Sequence, residues 1–185
     1  LVFDLSVFTN ERDHIQKIVE NNYWLFWEQY NMVTADKNFK KLESEYLKII
    51  WLSEEKINST SDRRPDIFMI KDRKLTANNI QFSKTEHIIV ELKRPSQNIW
   101  SKEYRQIEDY MEEIKNNPTF NCKLDYWKFY IISNELESFV TDKYSSFENS
   151  DDPFLVWESV WKYRIYALTW KDLFSIFENN HQYLI

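Results

Sequence analysis

Not one of the chain's 185 residues is glycine. Ordinary usage of about 7% would supply roughly a dozen. The lack limits the backbone, because glycine is the residue that takes left-handed conformations without steric cost. Asparagine and aspartate are the next best occupants of such positions. The pairs Asn21-Asn22, Asn78-Asn79 and Asn116-Asn117 are therefore expected to turn the chain. Function is limited as well. Phosphate-cradling loops, dinucleotide fingerprints and the G-x-S-x-G nucleophile elbow all need glycine. His14, His87 and His181 are scattered, without a metalloprotease pattern. ATP hydrolysis, dinucleotide redox chemistry and elbow-type acyl transfer are thus excluded from this segment, and carboxylate and lysine chemistry remains.

The chain is 43% hydrophobic and 17% aromatic, enough apolar material for a packed core and too much for disorder. No apolar run approaches the roughly 20 residues that span a bilayer. The single cysteine, Cys122, rules out an internal disulfide and a cysteine-based zinc site, so a cytoplasmic protein without membrane association is expected. The first residue is Leu1 rather than methionine, and no signal peptide is visible, which suggests a piece of a longer or processed chain.

Patterning along the chain predicts one domain over 1–185. A helix is expected over 10–30, with Asn10 as N-cap and Glu11 and Asp13 in its first turn, where the helix dipole favours anions. A second helix is expected over 38–51 and a polar loop over 52–64. The apolar strand PDIFMI (65–70), a polar loop (71–86) and the strand HIIVELK (87–93) follow. A helix at 101–115, the strand YWKFYII (126–132), a less regular stretch (133–160), the strand YRIYAL (163–168) and a closing helix capped by Thr169 complete the order. The Trp-rich stretch 157–170 is expected to be core rather than a base-stacking platform.

Glu91 and Lys93 interrupt the 87–93 strand. Alternation puts Ile88, Val90 and Leu92 on one face and His87, Ile89, Glu91 and Lys93 on the other. A solvated surface pair is one explanation. The other comes from the connection at 71–86, too short for a crossover helix, which predicts an antiparallel hairpin. A symmetric hairpin sets Asp66 opposite Glu91, with Lys93 beside them. Two close carboxylates need a proton or a cation between them, and such oxygen ligands suit Mg²⁺ or Mn²⁺. A neighbouring ammonium can stabilise phosphate charge and orient an attacking water.

Pro65-Asp66 followed by Glu91-Leu92-Lys93 resembles the PD-(D/E)XK signature of a nuclease superfamily that includes restriction enzymes and archaeal Holliday-junction resolvases. Gln106-Ile-Glu-Asp-Tyr110 is similar to the Q-x-x-x-Y motif of several branches, and ERDHIQKIVENNYWLF resembles the family's first helix. The phrases RRPDI, VELKRPS and QIEDY are similar to nuclease-like domains at the C-terminal end of larger bacterial proteins, often beside an ATPase module. WLFW (24–27) departs from them, with Trp27 where such relatives often carry glycine. The resemblance implies an α/β restriction-endonuclease-like core over about 10–132: a mixed central sheet with an antiparallel hairpin, flanked by helices. Residues 133–185 would form a strand-helix extension.

It implies a Mg²⁺-dependent nuclease (Mn²⁺ as substitute) acting on DNA rather than RNA. Asp66, Glu91 and Glu11 would hold the metal, with the Leu92 carbonyl as a further ligand. Glu20 and Glu28 are rivals for the role of Glu11. Lys93 would position the attacking water. Gln106, Tyr110, Arg94 and Arg64 would contact substrate, and Arg63, Lys102 and Arg105 flank them. A catalytically silent domain that binds nucleic acid or protein is the alternative. Other domains of the parent chain, or a second copy in a homodimer, would share binding. With 24 basic against 30 acidic residues the chain carries −6, so its own affinity for nucleic acid is expected to be weak and salt-sensitive.

Overall fold

The computed structural model describes residues 12–23, 30–50, 57–77, 80–94, 96–120, 125–148, 152–159 and 162–180. Its elements are α1 (Arg12–Asn21), β1 (Asn31–Ala35), α2 (Phe39–Ile49), β2 (Ile67–Ala77), β3 (Ile80–Leu92) and α3 (Ser101–Asn116). They continue as β4 (Asp125–Ser133), α4 (Ser138–Tyr144), a 3₁₀ turn, β5 (Leu155–Ser159), β6 (Tyr163–Thr169) and α5 (Trp170–Asn180). The six strands form one mixed sheet in the order β1-β2-β3-β4-β6-β5. β1, β2 and β3 are antiparallel neighbours, β3, β4 and β6 run parallel, and β5 returns antiparallel to β6. The fold class is α/β.

Alternation along the strands supplies two apolar faces. Phe68, Ile89, Trp127, Phe129, Ile131 and Ile165 pack against Phe39, Leu42 and Tyr46 of α2 and Tyr104, Ile107, Tyr110 and Ile114 of α3. On the other face Ile67, Met69, Ile88, Val90, Leu92 and Ile132 meet Val19 of α1 and Trp170 and Leu173 of α5. Each such side chain, fully buried, contributes about 1.5–3 kcal/mol. The three- and four-residue spacing of Tyr104, Ile107, Tyr110 and Ile114 fixes the roll of α3, which presents Gln106 and Tyr110 to the end of β3.

Caps fix the helix ends. The Asn38 Oδ1 accepts from the Lys41 amide at 3.0 Å at the start of α2. Thr169 caps α5 as its sequence suggests: its Oγ1 accepts from the Asp172 amide at 3.1 Å, and the Asp172 carboxylate accepts from the Thr169 amide at 2.8 Å.

Several expectations need correction. The first helix ends at Asn21, and β1 occupies 31–35 where no strand was expected. The supposed polar loop at 71–86 is mostly ladder: β2 and β3 extend as a two-stranded ribbon to the pair Ala77↔Ile80. The stretch 133–160 contains α4 and β5. Among the described residues the left-handed positions are Asp36 (φ 48°) and Phe154 (φ 70°), not Asn21, Asn22, Asn116 or Asn117. Asn78-Asn79, Asn10 and Trp27 lie outside the described residues. Trp170 is buried and Trp157 packs on the core, as expected of that stretch. Among the described residues no helix is long and apolar enough to cross a membrane.

Candidate active site

The β2-β3 register builds the site. Ile67 pairs with Val90 and Phe68 with Ile89, so Asp66 and Glu91 stand across from each other just beyond the last paired residues. Alternation from Phe68 and Ile89 puts both on the face covered by α3. The Leu92 amide donates to Asp66 Oδ2 at 2.6 Å, so the carboxylate closes the ladder where the strand carbonyls run out. Asp66 is 0% exposed, Glu91 1% and Lys93 8%. A solvated Glu91-Lys93 surface pair is thereby ruled out.

Every polar atom around Glu91 is engaged. Its Oε1 accepts from Lys93 Nζ at 2.8 Å and from Gln106 Nε2 at 2.8 Å. Its Oε2 lies 3.0 Å from the Tyr110 hydroxyl. Gln106 Oε1 accepts from Lys93 Nζ at 2.6 Å, while Gln106 Nε2 also meets the Tyr110 oxygen at 2.7 Å. The Tyr110 hydroxyl is 3.0 Å from the Arg64 carbonyl as well. Isolated burial of a carboxylate costs several kcal/mol, and a paired ammonium with two more donors is what offsets it. Burial pushes the Tyr110 pKa well up, helped by the negative charges of Glu91 and Asp66, so the phenol stays a neutral donor.

Outside this network lies an open cleft of about 520 Å³ lined by Lys93, Gln97, Lys102, Arg105, Gln106 and Asp109, among others. Its acids have partners within the protein: Glu103 accepts from Gln97 and from the Trp100 amide, and Asp109 pairs with Arg63 at 2.9 Å. Among the described residues Lys102 and Arg105 have no carboxylate partner, so the cleft leaves cations unneutralised in an acidic chain.

The sequence-derived residues separate accordingly. Asp66, Glu91, Lys93, Gln106 and Tyr110 come together. Gln106 lines the cleft, but Tyr110, 1% exposed, stands behind Glu91 and is a support for the carboxylate rather than a substrate contact. Arg64 and Arg94 are exposed, and Arg64 joins the site through its carbonyl. The Leu92 side chain belongs to the opposite core, and its amide meets Asp66. Glu11 and Glu28 lie outside the described residues; Glu20 is half-buried on α1. Among the described residues no group of three or more histidine, cysteine or acidic side chains is placed to hold a metal ion.

Three contributors were not anticipated. Gln16 of α1 is buried and directs its Nε2 toward the Asp66 carbonyl at 3.5 Å. Asp36, turned left-handed at the end of β1, donates its amide to that carbonyl at 2.9 Å. Glu43 of α2 is 0% exposed and collects donors from two chain segments. Its signal was present in the sequence: Phe39, Glu43 and Leu47 share a helix face, so a carboxylate interrupts an apolar stripe.

Comparison of the chain with protein-family models, with curated proteins and with solved structures finds no match.

Proposed function

We propose that this chain is a nuclease domain that hydrolyses phosphodiester bonds with a divalent cation, Mg²⁺ or Mn²⁺ in its place, and that its substrate is DNA rather than RNA. The observation that carries the reading is the placement of Asp66 across from Glu91 with the Lys93 ammonium 2.8 Å from Glu91, all buried at the end of a hairpin. The order of elements supports it too: helix, strand, helix, antiparallel hairpin, helix and parallel strand resemble the restriction-endonuclease-like core.

Hard oxygen donors fit the proposed ion. Asp66 and Glu91 would hold it, joined by the Leu92 carbonyl and by Glu11. A cation bound there supplies Lewis-acid polarisation and a water acidic enough to attack phosphorus. Lys93 would orient that water and offset charge on the phosphate. Gln106 and Tyr110 hold Glu91 and Lys93 in register, while Lys102, Arg105, Arg94 and Arg64 offer phosphate contacts. The acidic balance of the chain fits a domain of a longer bacterial protein whose other parts, or a second copy, add affinity.

A second reading is a silent domain of the same fold that binds nucleic acid or protein. What favours it is that both Glu91 oxygens already accept from protein donors. Incubation of the protein with single-stranded, duplex and branched DNA and with RNA separates the two. Cleavage that appears with Mg²⁺ or Mn²⁺, disappears with EDTA and is lost in Glu91→Gln supports the nuclease. Binding without metal-dependent cleavage of any of these substrates leaves the silent domain.

A further inference from the structure

The segment 57–66, which carries the chain into Asp66, has no regular secondary structure until β2 begins, yet it is pinned along its length. The Glu43 carboxylate accepts from the Asn58 amide at 3.0 Å and from the Ser59 amide at 2.7 Å. Ser59 Oγ donates to Glu113 at 2.7 Å and accepts from the Ser61 amide at 3.3 Å; Ser61 Oγ accepts from the Arg63 amide at 3.3 Å. The Arg63 carbonyl accepts from the Phe39 amide at 3.1 Å, and its guanidinium pairs with Asp109. Tyr110 then meets the Arg64 carbonyl and Asp36 the Asp66 carbonyl.

The same carboxylate holds the other half of the site. Asn117 Nδ2 donates to Glu43 at 2.9 Å and Thr119 Oγ1 at 2.5 Å, both just beyond the end of α3. α3 carries Gln106 and Tyr110. Glu43 therefore ties the strap that delivers Asp66 to the helix that supports Glu91. A fully buried carboxylate is costly, and donors from four residues in two segments compensate it only when both segments are in place.

We propose that Glu43, remote in sequence from the acidic pair, is the positioning residue that sets where Asp66 sits relative to Glu91. Its bearing on metal binding rests on the nuclease reading; its bearing on the placement of Asp66 does not.

Amide hydrogen exchange tests the placement directly, because the amides of Asp36 and Leu92 both donate to Asp66. In Glu43→Gln these two, together with Asn58 and Ser59, are expected to exchange at least about tenfold faster, the scale of one lost charge-assisted hydrogen bond. The amides of Lys162 and Ala167, bonded at the β5-β6 edge of the sheet to Ser159 and Phe154, are expected to hold their rates. Acceleration confined to Asn58 and Ser59, or equal acceleration everywhere, overturns the proposal. If Glu43→Gln does not fold, Thr119→Val, which removes one donor, is read by the same pattern. In parallel, Mn²⁺ affinity of the folded variant is expected to fall about 10-fold or more. Unchanged affinity beside a parent protein that does bind Mn²⁺ also counts against the proposal. Absence of Mn²⁺ binding and cleavage in the parent protein overturns the nuclease reading instead, and the exchange pattern still decides the role of Glu43.

Discussion

Lys93 Nζ sits 2.8 Å from Glu91 Oε1, two residues back on the same face of β3, with both side chains withdrawn from solvent. The pair gives the first prediction. Lys93→Met keeps much of the side chain's volume and deletes the ammonium. Removing that repelling charge should leave Mn²⁺ binding intact or tighter, while cleavage falls by about 10²–10³-fold, the usual loss for one electrostatic stabiliser. Calorimetric Mn²⁺ titration beside a cleavage assay checks both halves. Parent-like cleavage by Lys93→Met would mean that the ammonium has no part in the chemistry.

Tyr110 is expected to matter for stability before it matters for substrate. Tyr110→Phe removes one hydroxyl, and with it the single proton that Glu91 Oε2 and the Arg64 carbonyl both face at 3.0 Å. A cost of about 1–3 kcal/mol follows from a buried polar group left unsatisfied. Urea denaturation measures it. A change below about 0.5 kcal/mol, ordinary for a surface site, would contradict the support role.

The hairpin register could be read from the sequence because a symmetric loop leaves one pairing for Asp66 and Glu91. The role of Gln106 and Tyr110 as neighbours could be read from their four-residue spacing. The ribbon from Lys71 to Glu86 could not, since strand ends held by backbone bonds need no apolar alternation, and charged residues such as Lys71 and Glu86 pair there without signalling it. Glu43 was legible as a carboxylate on an apolar helix face, but its partners were not, for a related reason. Its donors, Asn58, Ser59, Asn117 and Thr119, are brought to it only by the tertiary fold. Asp36 took a left-handed position that the asparagine pairs were expected to fill, because its amide is needed at the Asp66 carbonyl.

Glu43 also sets an acid limit on stability. Burial alone would raise its pKa, but hydrogen bonds from Thr119, Ser59, Asn58 and Asn117 outweigh that and hold it below the ordinary value of 4.5. A depressed folded-state pKa means that the unfolded chain binds the proton more tightly. The stabilisation is therefore full above pH 4.5 and lost as pH falls through the folded-state value. Glu43→Gln is expected to be less stable than the parent at pH 7 and to show a shallower loss below about pH 4.5. Thermal unfolding across pH checks it; parallel curves for the two proteins would contradict the assignment.

Lys102 and Arg105 are expected to contribute to nucleic-acid affinity through charge alone. In a Lys102→Gln, Arg105→Gln double variant the slope of log affinity against log salt should shrink by about two, alike for every sequence tested. An unchanged slope would place the phosphate track elsewhere on the molecule.

The most direct test is a crystal of the protein soaked in Mn²⁺ and measured for anomalous scattering. A peak between the Asp66 and Glu91 carboxylates, absent in Asp66→Asn, is the result expected. A well-ordered site with Asp66 and Glu91 in place and no Mn²⁺ between them, at a Mn²⁺ concentration well above the millimolar range used for cleavage, would contradict the proposed metal-dependent nuclease.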